Sequence, residues 1–318
     1  SGFISQQNDP CNNWDAASNV GTAVAANCKS EGLPAGFNAT SSIAVLNSGG
    51  AAAGLKAETS KNSTIGLIIQ PELGTGRGDM SLAVDYFKIE VDNGVSRAGA
   101  TNILSRCYDD PQFRAGGGFC RLINARDPSS NALTVNDSFV NLATDTVRGF
   151  DFTARYTNNL GIGKLRLNLN VTKFTSQANK LFADDELDEI NGTLNSPKYS
   201  GNLDVHYDVQ NWRLYYGLGW VGSMSSYDYL GEDPATSTYK LSVPNYYLHT
   251  VAVGYKANKW ELTLGVRNLA NVKPPEISAQ AGYNRVGNAP LYSGYDYIGR
   301  TVYLNATKRT DEVSQGWF

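Results

Sequence analysis

The sequence contains no apolar run near the ~18–20 residues that a membrane-spanning helix requires, and its mean hydropathy is −0.33. It is poor in methionine and histidine, with two of each in 318 residues. His206 and His249 lie in separate strand-like segments, which gives little material for a histidine-based triad or a metal centre. The four cysteines lack C-x₂₋₄-C spacing and histidine partners, so a zinc site is not expected. No basic stripe accompanies the net charge of −3, and nucleic acid is not an expected partner. "GTGRGD" (Gly74–Asp79) lacks the Lys-Ser/Thr ending of a phosphate loop. "ADDELDEI" (Ala183–Ile190) lacks the glycine and spacing of an EF-hand, and reads as a solvated outer loop, with a cation or a basic substrate as the alternative ligand. No catalytic constellation and no cofactor are expected, which favours binding or transport over enzymatic chemistry. The amino end, "SGFISQQNDP", has neither the basic nor the apolar region of a signal peptide. The expectation is a leader already removed, or a numbering that begins inside a longer chain.

What the sequence has in quantity is aromatic residues and glycine: 18 Tyr, 11 Phe, 5 Trp and 32 Gly. That is a composition of strands and turns. The dominant signal is alternation. "KLRLNLNVT" sets Leu165, Leu167, Leu169 and Val171 against Lys164, Arg166, Asn168 and Asn170. "NLDVHYDV" sets Leu203, Val205 and Tyr207 against Asp204, His206 and Asp208. "WRLYYGLGW", "WELTLGV" and "RGFDFTARY" repeat the pattern, with Arg213 and Glu261 in polar series. A transmembrane β-barrel conceals its lipid-facing residues at every second position, so a low mean hydropathy does not count against one.

The alternation predicts nine strands, near 64–71, 80–91, 146–157, 163–175, 199–209, 211–222, 245–256, 259–268 and 296–308. Their connectors alternate short and long, with long ones at 92–145, 176–198, 222–243 and 268–294. Structureless loops of that length are unusual in a compact soluble domain, whereas outer-membrane barrels pair short periplasmic turns with long outer loops. On this reading Lys164, Arg166, Asp204, His206, Arg213 and Glu261 face a lumen and the apolar series faces lipid. Trp212 and Trp220, at opposite ends of one strand, fit interfacial aromatic belts. A soluble β-sandwich is the alternative that also alternates. Single-chain bacterial barrels have even strand numbers, so nine strands imply part of a larger barrel. Open edges in lipid are prohibitive.

Four cysteines allow three pairings, of which the local one, Cys11–Cys28 with Cys107–Cys120, is the most economical. Disulfides imply an oxidising compartment; four unrelated thiols are the alternative. "ATNILSRCY" (Ala100–Tyr108) is a candidate short helix in the long segment after the second strand.

Specific phrases resemble TonB-dependent outer-membrane receptors. They are "LKAETSKNSTIGLIIQP" (Leu55–Pro71), "SLAVDYFKIEVDNGV", "VNLATDTVRGFDFTARY" (Val140–Tyr156), "LGVRNLANVKPP" (Leu264–Pro275) and the closing "YDYIGRTVYLNATKR". They occur in family order over roughly residues 41 to 309, and the cysteine pairs resemble those in outer loops of a proteobacterial subgroup. The resemblance implies a 22-stranded barrel around a globular plug, in the outer membrane, with lipid and lipopolysaccharide around it. It implies uptake of a scarce bulky nutrient (iron chelate, cobalamin or oligosaccharide) powered by the TonB complex. This chain would supply the last nine strands over residues 64–309, an outer loop region over 1–63 and a periplasmic tail over 310–318. The plug and the remaining strands would lie elsewhere. The sequence departs from the family pattern at Ala51–Ala53, Ala57 and Ala270, and at Thr310, where an aromatic normally ends the chain. Trp14, Tyr108, Tyr227, Tyr229 and Tyr292 are candidates for stacking on a substrate. A passive porin and a surface adhesin are the competing functions.

Overall fold

A computed structural model describes residues 2–47, 55–114, 118–182, 184–278, 285–291 and 294–308. Nine long strands stand at the expected places: β1 Thr59–Ile69, β2 Asp79–Arg97, β3 Phe139–Leu160, β4 Gly163–Lys180, β5 Tyr199–Val209, β6 Trp212–Val221, β7 Tyr246–Ala257, β8 Trp260–Arg267 and β9 Thr301–Lys308. Each is hydrogen-bonded to its neighbours in chain order, from β1 at one edge to β9 at the other, and Asp188–Glu189 adds a short pairing to β4. The pairings from β4 to β9 are antiparallel with continuous register.

Several strands run longer than the alternation alone indicates. β2 continues to Arg97 and β3 begins at Phe139, because backbone pairing persists where the side-chain pattern has already faded. The last strand begins at Thr301, so Ile298, expected on its lipid-facing series, precedes it and is 83% exposed. The tail 310–318 lies outside the described residues. Residues 161–162, 210–211 and 258–259 form two-residue turns. Gly161, Gln210 and Asn258 take the positive φ that tight hairpins require there. Gly149 is required for a different reason. A Cβ there would stand 2.4 Å from the Lys173 carbonyl oxygen and 3.1 Å from Phe174 Cα, both backbone atoms.

The described residues divide into two compact units. The unit made mainly of the sheet (61–90, 146–179 and 187–318) has a small core of its own. There Leu194, Val221, Met224, Leu241, Val243, Tyr246, Ile277 and Tyr295 pack together. No helix is long and apolar enough to cross a membrane, which says nothing about crossing by strands.

The other unit comprises residues 1–60, 91–145 and 180–186. The first 60 residues, expected to be loop, take part in regular structure here. Gly2–Ile4 pairs antiparallel with Ile43–Leu46, which pairs parallel with Thr134–Asn136. Helix α1 (Ala23–Ser30) is capped by the Thr22 side chain accepting from the Ala25 N–H, an N-cap of ordinary type. Helix α2 is Ala100–Tyr108, and buries Ile103, Leu104, Cys107 and Tyr108 against Ile43, Leu133 and Val135. Each such fully buried aliphatic side chain contributes about 1.5–3 kcal/mol. Disulfides join Cys11 to Cys28 and Cys107 to Cys120.

Candidate functional site

The register of β4 to β9 turns the alternation of single strands into two continuous faces. On one, Leu165, Tyr207, Leu214, Val253, Leu264 and Leu304 form a cross-strand row. Leu167, Val205, Tyr216, Val251, Val266 and Val302 form the next. This face is uncovered: Leu214, Val253 and Leu264 are 43%, 42% and 54% exposed. Exposed apolar area of that extent on a soluble monomer would be an association or aggregation surface. Aromatic side chains close both margins of the face. Tyr207, Trp212, Tyr255 and Trp260 stand at the short-turn margin; Tyr199, Trp220 and Tyr247 stand at the other. Trp212 and Tyr255 rings lie 4.6 Å apart, and Tyr199 stacks on Trp220 at 6.1 Å. His249, on this face, hydrogen-bonds to the Tyr216 hydroxyl at 2.9 Å.

The opposite face is polar, and it gathers the charged residues that the alternation singles out. Lys164, Asp208 and Arg213 share one row; Arg166, His206 and Tyr215 the next; Asn168, Asp204 and Gly217 a third. Asp208 is the hub. It accepts from Arg213 Nε at 2.9 Å and forms an ion pair with Arg166, while Arg213 reaches Glu261 at 3.5 Å. Asp204 accepts from the Tyr215 hydroxyl at 2.7 Å and from Asn202 at 3.0 Å. Lys164 is exposed. A cleft of about 430 Å³ is lined by Arg166, Leu167, Asn168, Asp204, His206 and Arg213. Two of its polar atoms, His206 Nδ1 and Asn168 Oδ1, are buried and have no hydrogen-bond partner. Buried polar atoms are nearly always paired.

Asp208 and Tyr215 are the members of this network that the sequence reading did not single out. Their signal lies in the two-residue turn at 210–211, which fixes Asp208 directly opposite Arg213 and His206 opposite Tyr215. No cluster of three or more histidine, cysteine, aspartate or glutamate side chains suited to a metal occurs among the described residues.

The candidate stacking residues fare differently from one another. Tyr108 is a correction: its ring is 0% exposed. The Cys107 disulfide and α2 draw it inward, Phe113 covers it at 4.9 Å, and its hydroxyl donates to Glu31 at 2.7 Å. Burial pushes this phenol well above its usual range. Trp14 is half-buried and donates through Nε1 to the Pro34 carbonyl at 3.1 Å. Tyr227 is half-buried, with its hydroxyl on the Tyr239 carbonyl at 2.7 Å. Tyr229 presents an exposed ring to a cleft of about 920 Å³, lined also by Lys198, Asp228 and Lys240. Tyr292 lies outside the described residues.

The disulfide-bonded unit is organised by one buried cation. Arg126 donates to both oxygens of Asp9 at 2.7 and 2.8 Å and to Glu31 at 2.7 Å. Burial by itself would lower the pKa of this guanidinium; the hydrogen bonds it donates to Asp9 and Glu31, with the nearby negative charge, outweigh this and hold the group charged.

No curated protein matches the chain by sequence. Among solved structures, a mutant ferric enterobactin receptor (PfeA) from Pseudomonas aeruginosa is 22% identical with a TM-score of 0.49, over 80% of this chain and 31% of that one. The siderophore receptor PirA from Acinetobacter baumannii is 15% identical with a TM-score of 0.47, over 80% of this chain and 32% of that one. The ferric-catecholate import receptor Fiu from E. coli is 16% identical with a TM-score of 0.41, over 80% of this chain and 28% of that one. The chain thus spans about a third of the length of the solved structures it matches. The family model described as TonB dependent receptor-like, beta-barrel, matches residues 19–269, and the chain belongs to that family of Gram-negative outer-membrane proteins.

Proposed function

We propose that this chain forms the carboxyl-terminal strands of a barrel that takes up a scarce, bulky nutrient across the outer membrane, powered by the TonB complex. The nutrient class is that of iron chelates, cobalamin or oligosaccharides. The observation that carries the reading is the two-faced sheet. Its uncovered apolar face suits lipid, and its opposite face bears an ion-pair network fit for a lumen. In this reading Lys164, Arg166, Asp204, His206, Arg213 and Glu261, joined by Asp208 and Tyr215, face a plug contributed from outside this chain. The unpaired His206 Nδ1 and Asn168 Oδ1 support such a partner, since an unsatisfied buried polar atom costs about 1–3 kcal/mol. Tyr229 is the exposed aromatic offered to substrate, and the disulfide-braced unit belongs to the outer loops.

The test is uptake of labelled ferric chelates, cobalamin and oligosaccharides by cells expressing the whole protein. Uptake of one class that stops when the proton gradient is collapsed supports the reading. Uptake that persists without the gradient would make the protein a passive channel, and binding of cells without any uptake would make it an adhesin.

A further inference from the structure

The side chains of β1 do not fix its register by apolar patterning. In "TSKNSTIGLII" (Thr59–Ile69) both alternating series are polar as far as Thr64. Beyond Gly66 both are apolar, with Leu67 and Ile69 on one and Ile68 on the other. A one-residue slip exchanges the two faces of a strand, and is resisted where only one face is apolar. In β4 such a slip would turn Leu165, Leu167 and Leu169 to the polar side; in β1 it exchanges like for like. The strand is exposed along its whole length, so burial adds little discrimination. Backbone rungs repeat along a strand and are alike from one register to the next. Yet β1 lies at an edge of the sheet, and in a closed barrel strand register and shear are linked.

Side-chain contacts outside the ladder mark the place instead. Glu58, immediately before β1, accepts the Val95 N–H of β2 through Oε1 at 2.6 Å. Two residues earlier, Lys56 is paired with the Asn141 carboxamide on β3. Asn141 Oδ1 accepts the Lys56 N–H at 2.7 Å, and Nδ2 donates to the Lys56 carbonyl at 2.9 Å. The same Nδ2 donates to the Asn93 carbonyl of β2 at 2.8 Å. Asn93 holds a φ of 57° inside that strand, a conformation asparagine tolerates better than most residues. Further along, Asp85 lies over Gly66: a Cβ at 66 would stand 1.9 Å from Asp85 Oδ1. A slip that set Ile65 or Leu67 there would push the carboxylate aside. The contacts 58 to 95 and 66 to 85 run in opposite senses, as an antiparallel pair requires. Glu58 and Asn141 belong to the phrases "LKAETS" and "VNLATDTVRG", to which the alternation assigns no task.

We infer that Glu58 and Asn141 are positioning residues that set the register of β1 against β2 and β3. Through β1 they set the register at which this edge of the sheet meets the strands supplied from outside this chain. The second statement rests on the barrel reading; the first does not. One carboxylate and one carboxamide each occur at a single place, so a slipped strand loses their bonds while keeping its backbone rungs. A hydrogen bond to a charged group favours the native register by about tenfold or more, and a neutral one by about fivefold.

The test is oxidative cross-linking of engineered cysteines in the whole protein, in membranes of cells that express it. Ile68→Cys with Ala83→Cys, next to Gly66 and Asp85 in antiparallel order, reports the native register. Ile68→Cys with Leu82→Cys or with Val84→Cys reports a slip of one residue either way. With Glu58 and Asn141 in place, the native pair is expected to dominate. Glu58→Ala should raise the ratio of slipped to native product about tenfold, and Asn141→Ala at least about fivefold. Glu58→Gln keeps an acceptor oxygen and should restore most of the native pattern. An unchanged ratio in both alanine variants overturns the inference, as does a Glu58→Gln protein that slips as far as Glu58→Ala. Slipped and native products in equal amounts with both residues in place overturn it too. Should an alanine variant fail to reach the membrane, the same ratio is read after refolding it in detergent. Native cross-linking in a protein that stays soluble without detergent refutes the barrel reading and leaves the register assignment standing, which separates the two.

Discussion

Replacing Arg126 by methionine tests whether one buried ion pair holds the disulfide-braced unit together. The side chains of Arg126 and Asp9 are 6% and 2% exposed. Without the guanidinium, Glu31 keeps Arg114 at 2.8 Å, but Asp9 keeps only the Cys11 amide at 2.9 Å. The stranded charge is therefore chiefly that of Asp9. Breaking a buried pair from one side costs about 3–5 kcal/mol; the Cys11 N–H that Asp9 retains places the expectation near about 3 kcal/mol. The assay is amide hydrogen exchange at Ile103, Leu104 and Val135 in the whole protein in detergent, which reports the opening free energy of this unit. A loss of about 3 kcal/mol accelerates exchange about 150-fold. Adding Asp9→Asn removes the stranded charge while keeping an acceptor for Cys11, and is expected to restore most of the protection. Acceleration of less than about tenfold, or no recovery in the double variant, would refute the reasoning.

Three further outcomes follow from the same geometry. Tyr108 has a folded-state pKa raised above its unfolded value by burial, so its contribution is fully present below pH ~10 and is lost as pH rises beyond that. Alkaline titration followed by exchange at Leu104 should show this loss, and Tyr108→Phe should abolish its pH dependence. Replacing both cysteines of the 17-residue Cys11–Cys28 bridge by alanine should destabilise the same unit by about 3 kcal/mol, read as faster exchange at Ile43. Gly149→Ala drives a Cβ into the β4 backbone and should cost about 1–3 kcal/mol, seen as a lower thermal transition of the detergent-solubilised protein with the disulfide unit unaffected.

Period-two alternation reports which side of a strand meets apolar surroundings, because successive side chains point to opposite faces. Nine strand positions, with short connectors near 158–163, 208–211 and 256–259, were therefore legible in the sequence, as were the family phrases and the short helix α2. Local cysteine spacing pointed to the two bridges for the same reason: both close within a short stretch of chain. What the sequence could not supply was anything set by contacts between distant residues. Asp208 becomes a hub only once register places it against Lys164 and Arg213. Tyr108 looked like an exposed loop aromatic until α2 and the Cys107 bridge turned its ring into a core. Arg126 and Asp9, 117 residues apart, meet only because the chain folds back on itself. The residues at 1–60 showed no strong periodicity, since their strands are three or four residues long and take their stability from tertiary pairing. The sequence by itself determined two faces and the places where the chain turns. Tertiary structure decided which charges share a row and which aromatics are buried, because those depend on register and long-range packing rather than on local alternation.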